Sequence, residues 1–191
     1  DAGKTPDPSS KDPQRSEPQS TYFQDKPSFT LGNSPVSPLE LANVTATLMS
    51  EGTWCPPDPV QSLTDRFGHP VPLHEQACEQ AVTPDVADTV MTGLSKDTTE
   101  GTSTAAAREV GWTRPGIGKT GTTQTSESVA FVGGAGGYAV SSLVFADSSE
   151  PGTICPGTPV HIGSCGHGAF GGTVAAPPYF RALTKILGSS G

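Results

Sequence analysis

"RPGIGKTGTTQT", residues 114–125, sets a lysine inside a glycine-rich run, and its reading decides how the rest of the chain is read. A phosphate-binding loop of the form G-x-x-x-x-G-K-[ST] would cradle phosphate oxygens on its backbone N–H groups. Counted back from Gly118, the first glycine of that pattern falls on Thr113. The residues after Lys119, "TGTTQTSES", read as strand and turn where a phosphate loop needs a helix. The phosphate reading fails. A strand over 116–123 remains, with lysine, threonine and glycine following one another along it.

Those residue types suit a different chemistry. Lys119 brings a positive charge that attracts a carboxylate and favours deprotonation of a nearby serine. Thr120 and Thr122 alternate with Gly121, so both hydroxyls can point into one groove and bind that carboxylate. Gly121 has no side chain, so another element can approach the strand closely. The N–H of Thr122 can donate to the oxyanion of a tetrahedral intermediate. Gln124 either lines the end of the groove or is an ordinary turn residue, and Thr123 beside it is counted with the substrate-binding residues. The run resembles the K-T-G strand of the penicillin-recognising serine acyltransferases. A lone triplet carries little, and an ordinary edge strand with an exposed lysine accounts for it equally well.

Working outward, the chain of 191 residues carries 23 glycines, 19 prolines and only 33% hydrophobic residues. Residues 1–26 concentrate Pro, Ser and charge with too little apolar surface to offset their ordering entropy, and read as a linker or surface loop. The formal net charge of -8 and the absence of a Lys/Arg cluster make nucleic acid and anionic membranes poor partners. No apolar run is long enough to span a bilayer.

Three segments carry helix patterns. In "SPLELANVTATLMSEG", Ser37 and Glu40 form a capping box, Pro38 takes the first position, Gly52 stops the helix, and Leu41, Val44 and Leu48 make an apolar stripe. "TPDVADTVMTGLSKD" repeats the design from Thr83, with Val86, Val90 and Leu94 on one face. "PPYFRALTKILG" aligns Phe180, Leu183 and Leu187 before Gly188. Between the second and third lie "GIGKTGTT", "VAFVGG" and "YAVSSLVFA", separated by the turns "QTSES" and "GAGG", which predicts an antiparallel meander. The last two runs are nearly continuously apolar and imply a sheet covered on both faces. The fold class is therefore α+β, an antiparallel sheet flanked by helices. The sequon at Asn43 lies inside the first helix and is read as chance.

The four cysteines fall into local pairs in Gly/Pro-rich loops, Cys55 with Cys78 and Cys155 with Cys165. Local disulfides are the preferred of three possible pairings and would place the protein outside the cytoplasm. Cys155, His161, Cys165 and His167 are also a ligand set that zinc accepts, although their spacing fits no common finger. No metal or cofactor is expected.

Several longer stretches surround the strand. "SFTLGNSPVSPLELANVTATLMSEGTWCPP" resembles the region after the middle active-site motif of class A (bifunctional) penicillin-binding proteins. "GTSTAAAREVGWTRPGIGKTGTTQTSESVAFVGG" resembles the run through their K-T-G strand, and "FGGTVAAPPYFRALTKIL" their closing helix. The loops "TWCPPDPVQSLTDRFGHPVPLHEQACEQ" and "TICPGTPVHIGSC" resemble those of actinobacterial members. The resemblance runs from about Pro27 to Leu187. It implies the penicillin-binding and serine β-lactamase-like fold and a D,D-transpeptidase, which attacks a peptidoglycan stem peptide with a serine and passes the acyl group to a neighbouring amine. β-Lactams trap that serine. It gives Lys119 and Thr122 catalytic roles and assigns substrate binding to Thr120, Gly121, Thr122, Thr123 and Gln124.

The family also needs S-x-x-K and S-x-N. None of the six lysines has a serine three places earlier, and Asn33 and Asn43 follow leucines at the relevant position. Family order places both motifs upstream. Residues 27–188 are accordingly expected to be the C-terminal part of a transpeptidase domain, with a tail at 189–191 and a chain cut in or near 1–26. The expected partner is the upstream segment that carries the serine, the glycosyltransferase domain and an anchor on the extracytoplasmic face of the membrane. The alternative is a truncated homologue that binds stem peptides or β-lactams without chemistry. Ser126 and Ser128 lie near the site but lack a lysine three places on. His69, His74, His161 and His167 are placed on loops.

Overall fold

The meander expected between residues 116 and 146 forms, and it organises everything around it. The structure is a computed structural model describing residues 23–32, 36–73, 76–146, 152–155 and 168–188. Its contacts divide the chain into two units, Asp1–Val36 and Ser37–Gly191. In the first, a 3-10 turn at Pro27–Leu31 ends on Gly32 at φ 70°, and the rings of Phe23 and Phe29 lie 4.8 Å apart.

The second unit opens with α1, Pro38–Met49. Its capping box is complete: the Ser37 hydroxyl accepts from the Glu40 N–H at 3.2 Å, and the Glu40 carboxylate accepts from the Ser37 N–H at 2.8 Å. Two short ladders follow in the cysteine loop, β1 (Thr53–Trp54) with β4 (Glu79–Gln80) and β2 (Leu63–Thr64) with β3 (Pro70–Val71). Two-residue strands carry no readable period, and the sequence gives no sign of them. Cys55 and Cys78 are bonded beside the first ladder. Asn43 donates its side-chain amide to the Cys55 carbonyl at 3.0 Å, so the sequon residue ties α1 to that loop. Cys155 is not free, and its expected partner Cys165 lies outside the described residues.

Helix α2 spans Pro84–Leu94 and a six-residue helix α3 spans Thr104–Glu109. The latter is too short for the periodicity of "TAAARE" to announce it. Strands β5 (Ile117–Thr122), β6 (Ser128–Ala135) and β7 (Tyr138–Phe145) pair antiparallel in that order. A π-helical turn, Gly171–Ala175, leads into α4, Ala176–Leu187.

One face of the sheet carries Val129, Phe131, Val140 and Val144 into a core with α3 and α4. Phe131 meets Tyr179 and Phe180 at 4.7 and 5.5 Å between ring centroids, and Trp112 closes the cluster on Phe180 at 5.3 Å. Offset and edge-on arrangements of this kind suit the ring quadrupoles. Burial pushes the Tyr179 phenol well above its ordinary range. The expected stripe of α4 is met, with Phe180 and Leu183 fully buried and Leu187 packed at the margin. Arg114 donates to the Leu187 and Gly188 carbonyls, satisfying the last turn of α4.

The other two stripes are corrected. Val44 is exposed, and α1 buries Thr45 and Thr47 instead. Helix α1 lies over Gly134, where Thr45 and Met49 fill the space a side chain would take. The buried hydroxyls donate to carbonyls four residues back, so they do not go unmet. In α2 the buried residue is Ala87, while Val86 and Val90 face away from the described residues. Coverage of the sheet is also partial. β6 is mostly buried, but Leu143 and Phe145 on β7 stay exposed beyond the reach of α1.

Candidate active site

The site grows from the register of one strand. Thr123 N–H donates to the Ser128 carbonyl at 3.1 Å, which makes 123 and 128 a hydrogen-bonded pair. Pairing alternates along an antiparallel ladder, so the N–H and C=O groups of 118, 120 and 122 point away from β6. Among the described residues β5 is one of the two edge strands of the sheet. The Thr122 N–H therefore lies on a free edge, where the sequence reading wanted an oxyanion donor. Lys119 reaches the same edge: its ammonium donates to the outward carbonyl of Thr120 at 2.8 Å.

Thr120 and Thr122 share one face of the strand, as their spacing requires, but their partners differ. The Thr120 hydroxyl lies 2.7 Å from that of Thr102 in the turn before α3. Thr102 is held in turn by Asp97, whose Oδ1 accepts from its N–H and its hydroxyl, each at 3.1 Å. The Thr122 hydroxyl instead accepts from the Gly171 N–H at 3.1 Å. The second carboxylate oxygen of Asp97 is buried without a hydrogen-bond partner among the described residues.

Gly121 is open on the opposite face. A Cβ there would meet only the Ala130 Cβ, at 3.9 Å. By contrast Gly118 is obliged to be glycine by the Phe131 ring, at 2.6 Å from such a Cβ, and Gly133 by Tyr179 and the Ile117 carbonyl. Nothing in this unit explains the glycine at 121.

Thr123 closes the β5–β6 hairpin, donating its hydroxyl to the Ser128 carbonyl and accepting from the Ser128 N–H. Gln124 is exposed in the following turn. Ser126 sits at φ 52° and donates to the Ala169 carbonyl, which ties the turn to the chain entering α4. His69 faces Asp65 on an exposed loop, and the hydrogen bonds from the His69 and Phe67 N–H groups hold the Asp65 carboxyl below its usual range. His74, His161, Cys165 and His167 lie outside the described residues, so the zinc set is described only at Cys155.

Beside the free edge lies a cavity of about 340 Å³ lined by Leu94, Lys96, Asp97, Glu100, Gly118 and Lys119 among others. Asp97, Thr102 and Gly171 escape a sequence reading, because each meets the strand through contacts at long separation and none sits in a recognisable motif.

A family described as "Penicillin binding protein transpeptidase domain" matches residues 3–135. The chain belongs to that family. Solved structures share the fold. Penicillin-binding protein 1A from Haemophilus influenzae is 17% identical, with a TM-score of 0.66 over 86% of this chain and 28% of that one. Penicillin-binding protein A from M. tuberculosis, solved as an imipenem acyl-enzyme, is 20% identical, with a TM-score of 0.56 over 82% of this chain and 32% of that one. Penicillin-binding protein 3 from Mycobacterium tuberculosis, solved with ampicillin, is 15% identical, with a TM-score of 0.57 over 91% of this chain and 47% of that one. The chain thus spans less than half the length of each. No curated protein matches it by sequence.

Within the transpeptidase domain family the free edge of β5 acquires a chemical meaning. Transpeptidases are acyltransferases, and an acyl carbonyl laid along this edge would meet the outward Thr122 N–H. A carboxylate beside it would meet the Lys119 ammonium and a threonine hydroxyl. No S-x-x-K motif accompanies them in the sequence.

Proposed function

We propose that this chain is the C-terminal portion of a peptidoglycan D,D-transpeptidase, a class A penicillin-binding protein of actinobacterial type. It supplies the K-T-G strand, while the S-x-x-K serine and the S-x-N loop come from sequence outside these residues. Lys119 attracts the substrate carboxylate and lowers the cost of forming the serine alkoxide. The Thr122 N–H stabilises the oxyanion, and the hydroxyls on the same strand bind the carboxylate. The stem peptide ending in D-Ala-D-Ala is the substrate, and β-lactams acylate the same serine. Alone, the chain is inactive.

The observation that carries this reading is the pairing of a free β5 edge with an unexplained glycine. Lys119 and the Thr122 N–H meet on that edge, and Gly121 leaves the face above it clear for an element this unit does not provide. The β-lactam complexes of the related structures support the ligand class. The Cys55–Cys78 bond supports a site outside the cytoplasm, on the extracytoplasmic face of the membrane.

Incubating the native protein with benzylpenicillin and weighing every chain under denaturing conditions tests the reading. The expected adduct is on a serine of upstream sequence. An adduct on Ser126 or Ser128 would overturn the assignment of the nucleophile. No adduct anywhere would favour the truncated homologue that binds without chemistry.

A further inference from the structure

Resting on the transpeptidase reading above, we propose that Ser126 is a positioning residue for acylation. It moors the chain entering α4 to the turn after the K-T-G strand, and so holds the Thr122 end of that strand in place.

Ser126 has each of its polar groups engaged. Its N–H donates to the Thr123 carbonyl at 3.0 Å, and its carbonyl accepts from the Ile154 N–H at 2.9 Å. Its hydroxyl donates to the Ala169 carbonyl at 3.1 Å, in a bond that is itself partly buried. Ile154 and Ala169 both belong to the buried core, so the last two bonds tie the turn to fixed points. Together the three bonds hold Ser126 in the left-handed region, at φ 52°. That conformation is strained for a residue with a Cβ and free for glycine. A glycine at 126 would relieve the strain but could not reach Ala169, so the hydroxyl is what the strained backbone supplies.

The mooring reaches the reactive edge within two residues. Gly171 follows Ala169 by two positions, and its N–H donates to the Thr122 hydroxyl oxygen at 3.1 Å. Residues 122–126 and 169–171 are therefore joined at both ends, Ser126 to Ala169 and Gly171 to Thr122, in a closed ring. Gly171 also stands on backbone, since a Cβ there would meet the carbonyl oxygens of Gly121 and Ala130. Thr122 with Val129 is the last register pair of β5 with β6, so the ring starts where the ladder stops. Among the described residues β5 has no strand on its other side. What fixes residue 122 thus fixes the outward N–H that meets the oxyanion. Ser126 touches no reacting atom and acts through Ala169, Gly171 and Thr122.

The test follows acylation of the complete transpeptidase by benzylpenicillin, with stopped flow separating initial binding from the covalent step, beside a melting curve. Ser126→Ala and Ser126→Gly both lose the hydroxyl. Each is expected to slow the covalent step about tenfold, short of the roughly hundredfold that a misplacement of about 1 Å costs, with initial binding unchanged. Ser126→Thr keeps the hydroxyl and is expected to acylate near the wild-type rate. Stability is expected to follow the backbone instead. Ser126→Gly melts above Ser126→Ala, and Ser126→Thr, β-branched at a positive φ, melts below wild type. A merely structural serine would make acylation track the melting temperature across the three variants, and that result overturns the proposal. Wild-type acylation by Ser126→Ala overturns it as well. If the wild-type enzyme takes no penicillin, the transpeptidase reading fails, and hydrogen exchange at the Gly171 N–H decides the mooring. Faster exchange in Ser126→Ala than in wild type supports it, and equal exchange overturns it.

Discussion

Gly171 lies directly on the backbone of Gly121. A Cβ at 171 would meet the Gly121 carbonyl oxygen at 2.8 Å and its nitrogen at 3.0 Å, whereas a Cβ at 121 points to the other face and meets nothing closer than 3.9 Å. One contact thus joins the chain entering α4 to the K-T-G strand, and the two glycines are required for different reasons.

Gly171→Ala must push backbone away from backbone, which overpacking data place at about 3 kcal/mol. Its melting temperature should fall clearly, with acylation lost as a consequence. Gly121→Ala should leave the melting temperature within a degree or two and still slow acylation about tenfold or more, because the added methyl faces the approach of the nucleophile. Thermal denaturation and penicillin acylation measured on both variants separate the two. Equal melting losses would show that Gly121 also serves packing.

Lys119 contributes a charge at the free edge and, among the described residues, makes no hydrogen bond besides that to the Thr120 carbonyl. Lys119→Ala should therefore slow β-lactam acylation about a hundredfold, the scale of one preorganised electrostatic group, without lowering stability. Stopped-flow acylation and a melting curve check both halves. Near-normal acylation would remove Lys119 from the chemistry.

The capping box of α1 adds a pH dependence. The hydrogen bonds from the Ser37 N–H and hydroxyl lower the Glu40 pKa below its ordinary 4.5. A group depressed in the folded state stabilises above its unfolded pKa, and that contribution fades as pH falls through the folded value. Ser37→Ala should cost about 1 kcal/mol at neutral pH. Glu40→Gln should cost less and flatten the stability profile below pH 4.5. Urea unfolding at pH 7 and in a series below pH 4.5 reads both; a Glu40→Gln profile parallel to wild type would show the carboxylate to be idle.

The sequence made legible whatever depends on local pattern. The antiparallel meander of β5–β7, the Ser37 box and the Phe180–Leu183 stripe each follow from residues within a few positions of one another. Val86 and Val90 share one helical face, but periodicity cannot say whether a partner covers it, and none of the described residues does. The site divides the same way. Lys119, Thr120, Gly121 and Thr122 announce themselves by alternation, while Asp97, Thr102 and Gly171 are brought in by the packing of turns on the strand. Their roles depend on contacts between residues far apart in the chain, which no spacing encodes.

The cysteine loop gives the last test. Cys55–Cys78 closes a separation of 23 residues, and loop-closure entropy assigns such a bond about 3 kcal/mol. The neck of that loop is held by other means as well. β1 pairs with β4, the Gly52 carbonyl accepts from the Ala81 and Val82 N–H groups, and the Gln80 amide donates to the Glu51 and Val82 carbonyls. These bonds form only in the native state, whereas the disulfide acts on the unfolded chain, so removing it should not open the neck. The double variant Cys55→Ser/Cys78→Ser should therefore melt about 6–12 °C lower while acylating at the wild-type rate at 25 °C. A melting loss accompanied by slower acylation would mean that the loop transmits its order to the β5 edge. A loss of under a degree would mean that the hydrogen-bonded neck persists in the unfolded chain and already supplies the constraint.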